Sequence, residues 1–189
     1  MVTDEGLEQV GGLHKLRLLY LGRTQISDDG PVHLQGFTDL RFLSLFRTRI
    51  SDSELVHLRG LSRLELLNLM GTRISSAGLT HVEGLAGLSW LLLSDTSVSD
   101  DGLSHLKGMS KLEELYLDHT GVTDAGLAHL TGLTALRKLS LGDTNISDAG
   151  LARLKGLAKL NELHLFHAKA TDDGLKVVQQ SLHQLPIIL

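Results

Sequence analysis

Four residues of alternating acidic and basic character recur at a fixed interval in the second half of the chain: Asp95, His119, Asp143 and His167, with Asp118 and His164 close by. Imidazole and carboxylate both suit zinc, and on sheet rungs about 5 Å apart they could hold a metal or support an enzymatic site. The plainer reading is charge complementarity, each imidazole lying beside a carboxylate on the next rung, and it is the one favoured here. A second histidine series, His33, His57, His81, His105 and His129, keeps one column at the same interval. Such regularity marks a packing or solvated helix position better than a metal ladder. No His-Glu-x-x-His, phosphate-binding loop or Gly-x-Ser-x-Gly motif occurs, so the chain reads as a non-enzyme with no catalytic residue, cofactor or metal expected.

Composition narrows the classes further. The chain has 189 residues, 42% apolar but only 4% aromatic, so it can bury a substantial core of mainly aliphatic side chains. Its 18 basic and 22 acidic residues leave a net charge of −4, which argues against a general nucleic-acid binder. There is no cysteine, which removes disulfides, thiolate metal sites and cysteine nucleophiles together. The start, Met1-Val2-Thr3-Asp4-Glu5, lacks the basic-then-apolar pattern of a signal peptide. The longest apolar run, Trp90 to Leu93, is too short to cross a bilayer. A cytoplasmic setting without a membrane partner is therefore the expectation.

An internal repeat supplies the elements that position these residues. Thr123-Asp124-Ala125-Gly126-Leu127 returns 24 residues later as Ser147-Asp148-Ala149-Gly150-Leu151, and the same start occurs at Thr3, Ser27, Ser51, Ser75, Ser99 and Thr171. Residues 3–170 thus form seven full repeats, and 171–189 a C-terminal half-repeat cap, in a single domain spanning 1–189. Leu136 to Leu141 ends in period-two alternation, predicting a short strand with Leu139 and Leu141 inward. From Ser147 to Gly156, Leu151 and Leu154 stand at helical spacing behind a Ser-Asp start that can cap a helix. Gly12, Gly36, Gly60, Gly84, Gly108, Gly132 and Gly156 recur where each helix should stop, predicting left-handed C-caps. Pro31 suits a first helical turn. Strand, helix and parallel strand predict a right-handed α/β solenoid, with a concave parallel β-sheet and helices on the convex side.

The pattern Leu-x-x-Leu-x-Leu-x-x-Thr-x-Ile, as in Leu136 to Ile146, resembles the leucine-rich-repeat signature. The Ser-Asp-x-Gly-Leu that follows resembles the bacterial 24-residue type, related to GALA-type repeats and to the cysteine-containing repeats of F-box proteins. The resemblance covers essentially the whole chain and implies a curved horseshoe segment. The usual Asn of the signature is replaced by Thr24, Thr48, Thr72, Thr96, Thr120 and Thr144, then by Ala168. A buried Thr hydroxyl can still bond loop backbone. No F-box-like segment is present, so the ubiquitin-adaptor role of some relatives is not implied.

A repeat supplies its own control: constant columns are structural, and variable ones are free to carry specificity. The outward strand positions form three variable rows: Leu18, Phe42, Leu66, Trp90, Glu114, Lys138, Glu162; Tyr20, Ser44, Asn68, Leu92, Tyr116, Ser140, His164; and Gly22, Phe46, Met70, Ser94, Asp118, Gly142, Phe166. Six of the seven aromatic residues fall in these rows, and only Phe37 takes a core column. A continuous apolar stripe of Leu18, Phe42, Leu66 and Trp90, widened by Phe46, Met70 and Leu92, would cost solubility without a partner. The competing reading is a layer of side chains lying on one another to stiffen the sheet. The expected protein-binding set is Leu18, Tyr20, Arg23, Phe42, Phe46, Arg47, Leu66, Asn68, Met70, Trp90, Leu92, Tyr116 and Asp118.

Charge is polarised along the same surface. Arg17, Arg23, Arg41, Arg47, Arg49 and Arg73 lie in the first three repeats, whereas Asp95, Glu113, Glu114, Asp118 and Asp143 follow. Such patches steer and orient a protein partner. The Arg/Phe cluster also allows single-stranded nucleic acid as an alternative, which the acidic second half opposes. At the C-terminus Leu175, Val178, Leu182 and Leu185 make an amphipathic helix, with Pro186-Ile187-Ile188-Leu189 closing the last rung. The N-terminal edge lacks a comparable cap, pointing to a missing upstream segment or to pairing with another copy.

Overall fold

The computed structural model describes residues 2–182 and 187–188. Eight parallel strands form one sheet in simple sequence order. They are β1 Leu18–Tyr20, β2 Phe42–Ser44, β3 Leu66–Asn68, β4 Trp90–Leu92, β5 Glu114–Tyr116, β6 Lys138–Ser140, β7 Glu162–His164 and β8 Ile187–Ile188. Each is paired with the next in strict register, Leu19 with Leu43 and Leu43 with Leu67, as a constant repeat length requires. The chain is a curved α/β solenoid with the parallel sheet on its concave side.

The expected helices on the convex side are present but short, and many of them are 3₁₀. Short helices α1 Asp4–Glu8, α2 Asp100–Leu103 and α3 Asp148–Leu151 are joined there by 3₁₀ segments such as Asp52–Leu58 and Ser76–His81. The longest helix is α4, Asp172–Ser181. A repeat of this length leaves room for little more than one or two turns between strands, and 3₁₀ geometry spans that distance in fewer residues. Pro31 opens the 3₁₀ segment Pro31–Leu34, where its missing N–H is harmless. Of the expected C-terminal closure, Val178 and Leu182 are buried and Leu175 is half-buried, while Leu185, Pro186 and Leu189 lie outside the described residues. At the other end Leu13 is 54% exposed, although its equivalents Phe37, Leu61 and Leu85 are fully buried.

The core is a stack of aliphatic columns. Leu139 and Leu141 both point inward and are fully buried, as are Leu151, Leu154 and Ile146 of the same turn of the coil. Burying one such side chain contributes about 1.5–3 kcal/mol. Behind each strand a Thr hydroxyl donates to the carbonyl three residues earlier: Thr72 to Leu69, Thr96 to Leu93, Thr144 to Leu141, at 2.5–2.6 Å. Thr therefore does the loop-bonding work expected of it, and Ala168 leaves only the last full rung without that bond.

Two columns were not legible in advance. Arg23, Arg47, Gly71, Asp95, His119, Asp143 and His167, one per rung, all have φ between +51° and +66°. Each turns the chain out of its strand, and from Arg23 to Asp143 its N–H still donates to the next rung, as Asp95 N does to Asp118 O at 2.9 Å. The second column is the Asp of the repeat start. Asp124 accepts from both the N–H and the hydroxyl of Ser147, one rung on, at 2.8 and 2.5 Å. Asp4, Asp28, Asp52, Asp100 and Asp148 repeat this with Ser27, Ser51, Ser75, Thr123 and Thr171. Ser76 stands in once, accepting from Ser99 N at 3.0 Å. The capping expected of the preceding Ser or Thr is also made at Thr3, Ser75, Ser147 and Thr171.

The expected left-handed glycine C-caps are not formed. Among the described glycines only Gly71 has positive φ. Instead, the carbonyl of each glycine accepts from the residue two ahead, Gly60 from Ser62 and Gly156 from Ala158. The intervening leucine makes the turn, as Leu157 does at φ −86°, ψ 67°, an inverse γ-turn. The glycines that are sterically required lie elsewhere, in the repeat start. A Cβ on Gly126, Gly150 or Gly174 would overlap the carboxylate of Asp100, Asp124 or Asp148 from the rung before. Gly150→Ala and Asp124→Ala are accordingly expected to lower stability by about 1–3 kcal/mol each. Gly84→Ala meets no atom within 4 Å and is expected to be neutral or stabilising by up to about 1 kcal/mol. Urea unfolding of the three variants checks this ordering, which reverses if Gly84 is the left-handed position.

Candidate binding face

The register brings the first two outward rows together as continuous lines. Leu18, Phe42, Leu66, Trp90, Glu114, Lys138 and Glu162 are direct neighbours, as are Tyr20, Ser44, Asn68, Leu92, Tyr116, Ser140 and His164. Their exposure is uneven. Leu18 and Tyr20 are 51% and 68% exposed, whereas Phe42, Leu66, Trp90, Phe46, Met70 and Leu92 are half-buried. Phe42 and Trp90 sit two strands apart, yet their ring centroids approach to 5.8 Å at 47°. They lean toward each other over the intervening strand, so part of the stripe is an aromatic layer packed on itself.

The third row is shaped by glycines. Phe166 lies across Gly142, where any Cβ would overlap its ring, and Phe46 crosses Gly22 with its Cβ 3.2 Å from the place a Gly22 Cβ would take. Arg23 and Arg47 flank the Phe46 ring, their guanidinium carbons 5.4 and 5.2 Å from its centroid. Asn68 accepts from Met70 N at 3.0 Å, turning inward to its own loop. Asp118 accepts from Ser94 Oγ, Ser140 Oγ and Gly142 N at 2.8, 2.5 and 2.9 Å. Its carboxylate thus ties three rungs together.

The Asp/His column forms a line. His119 reaches Asp95 at 3.7 Å and Asp143 at 3.2 Å, and His167 reaches Asp143 at 2.9 Å. Among the described residues no three His, Cys, Asp or Glu side chains converge as metal ligands. Asp and His are also among the non-glycine residues that tolerate positive φ, which accounts for their presence in this column. The other histidine column is a half-buried polar one, with His81 bonded to Arg59 at 2.7 Å and His105 3.5 Å from Glu83. Burial first, then the Arg59 charge, lowers the His81 pKa and favours its neutral form.

A model of the leucine-rich-repeat family matches residues 132–155. No curated protein matches the sequence. Among solved structures, an internalin (inlF) of Listeria monocytogenes superposes with a TM-score of 0.81 at 22% identity, covering 96% of this chain and 49% of its own. The fold is a leucine-rich-repeat solenoid. Internalin C2 of the same species gives 0.67 at 27% identity, over 90% of this chain and 76% of its own. A plant peptide hormone receptor, RGFR1 in complex with RGF2, gives 0.62 at 17% identity, over 92% of this chain and 32% of its own. The chain thus spans about half the length of the inlF internalin. Among the described residues no helix is long and apolar enough to cross a membrane.

In this leucine-rich-repeat sheet the concave rows change character at β5. Tyr116 donates to Glu114 Oε2 at 2.8 Å, Lys138 lies 5.4 Å from the Tyr116 ring centroid, and Glu162 bonds Lys138 and His164 at 2.5 and 2.6 Å. Lys138, Glu162 and His164 stand in the outward rows but not in the expected protein-binding set, although the sign alternation Glu114, Lys138, Glu162 at the repeat interval is a usable signal. The Lys138 hydrogen bond, then that of His164, holds the Glu162 carboxyl below its ordinary range. The same bond to Glu162 raises Lys138, and burial raises the Tyr116 phenol. Because Glu162 is depressed in the folded chain, its stabilising contribution is complete above the ordinary carboxylate range and fades as pH falls. Lys138→Met is expected to move the Glu162 titration upward by NMR; an unmoved midpoint would assign the shift to another group.

Proposed function

We propose that the chain is a non-enzymatic protein-binding module that takes its partner on the concave face of the sheet. Leucine-rich-repeat folds generally mediate protein–protein contacts and act as scaffolds, and one similar structure is a receptor solved in complex with RGF2. The carrying observation is the concentration of the scarce aromatic side chains on outward rows. Core columns are filled by Leu, Ile, Val and Met apart from Phe37, so the aromatic side chains are not needed to build the solenoid. Leu18 and Tyr20 leave an uncovered apolar end on the stripe, and Trp, Tyr, Phe and Met are what interface cores enrich. The strict 24-residue interval further supports a single domain over 1–189 and assignment to the bacterial repeat type related to GALA-type repeats.

Affinity capture from source-cell lysate tests this directly. The Phe42→Ser, Trp90→Ser variant should keep its circular dichroism and lose the partner. Because those rings pack on each other, Leu18→Ser with Tyr20→Ser, at exposed positions, provides a second variant expected to weaken capture. Retention of the same partner by both variants would remove the concave face from consideration.

A further inference from the structure

We infer that the first four rungs of the concave face recognise an acidic protein segment, its carboxylates held by Arg23 and Arg47 and a neighbouring apolar side chain resting on Phe42, Leu66 and Trp90. This rests on the concave-face reading above and adds the chemistry of the partner. Arg23 and Arg47 hold the same position on adjacent rungs, about 4.8 Å apart along the axis, and both have positive φ. The Phe46 ring is shared between them at 5.4 and 5.2 Å. Gly71 on the next rung leaves the space Arg47 crosses, since a Cβ there would stand 2.7 Å from Arg47 Cγ. The two cations are therefore preorganised, which lowers the entropy lost on binding.

What they lack is an anion. Arg41, Arg63 and Arg137 each face a carboxylate of their own chain, namely Glu65, Asp39 and Glu113. Among the described residues Arg23 and Arg47 have no ion pair, nor do Arg49 and Arg73 on the adjoining loops. Like charges on neighbouring rungs oppose each other, and guanidinium binds carboxylate as a two-pronged donor. Phosphate would satisfy the same donors, but the positive region covers only about 10–15 Å of the axis. Beyond it the surface turns acidic with Asp95, Glu114 and Asp143. Single strands need a longer positive track, about four nucleotides or more, and an aliphatic-aromatic surface suits a protein side chain better.

Trp90 is the sole tryptophan and touches Phe42, so its emission reports occupancy of this region. The full chain is titrated at low salt with a repeating Glu-Leu-Glu-Phe peptide, its Gln-for-Glu counterpart and an oligothymidylate of matched length. The Glu peptide alone should shift Trp90 emission saturably. Arg23→Gln with Arg47→Gln should weaken it roughly ten-fold or more, and Arg49→Gln with Arg73→Gln should weaken it less. Equal response to the Gln peptide, response to oligothymidylate in place of the peptide, unchanged affinity in the Arg23/Arg47 variant, or no response would each overturn the inference. If the Phe42/Trp90 variant loses its lysate partner while the Arg23/Arg47 variant keeps it, the acidic-segment inference falls and the concave-face reading stands.

Discussion

A carboxylate passed from each rung to the next sets the register on which everything else depends. Asp124 satisfies the backbone N–H and the hydroxyl of Ser147 together, and Gly150 gives up its side chain to admit the carboxylate. One residue type accepts, a second donates twice and a third makes room, so a rung longer or shorter by one residue would lose all three. Solenoid stability is a sum of rung and neighbour terms, and this contact is repeated along most of the chain. It sits at the convex entrance to each rung and leaves the sheet face free to vary. A binding surface can then change rung by rung without disturbing the stack.

The sharp bend that follows every strand is the second constraint. It demands a left-handed residue once per rung, and Arg, Gly, Asp and His all fill it. Glycine does so without strain, Asp and His with modest cost, and Arg with the most. Where the cheapest residue is not used, the side chain is serving some other end. In the second half that end is visible: Asp95, His119, Asp143 and His167 pair in a line. In the first half it is not visible among the described residues, where Arg23 and Arg47 lie against the face of Phe46 and have no ion pair.

The strands, their parallel register and the inward leucines were legible because period-two alternation and a constant interval act over distances a sequence displays. The glycine caps were misread because glycine before a turn carries the same signature whether glycine or the next leucine makes the turn; only the backbone angles of Leu157 separate the two. The Asp contact was hidden by its range, since Asp124 and Ser147 are 23 residues apart and Asp at a helix start already has a sufficient local explanation. Likewise Arg, Gly, Asp and His share no side-chain chemistry, so their common backbone state left no compositional trace. On the concave face the neighbours in each row were legible but their tilt was not. Nothing in the order Phe42, Leu66, Trp90 says that the outer two rings meet.

That tilt bears on what the face can do. A stripe fully packed on itself would be a stiffening layer, and a stripe fully exposed would be a liability in water. The structure holds an intermediate state, with Phe42 and Trp90 in contact while Leu18 and Tyr20 remain open at one end. From β5 onward the rows carry internally satisfied polar groups: Tyr116 with Glu114, Lys138 with Glu162, and Asp118 with two serines and a backbone amide. A surface whose hydrogen bonds and charges are already paired gains little from a partner, because each new contact must first break an old one. Arg23 and Arg47, which have no ion pair among the described residues, and the uncovered apolar end both lie on the first rungs, and that asymmetry makes β1 to β4 the part of the sheet with free energy left to contribute on binding.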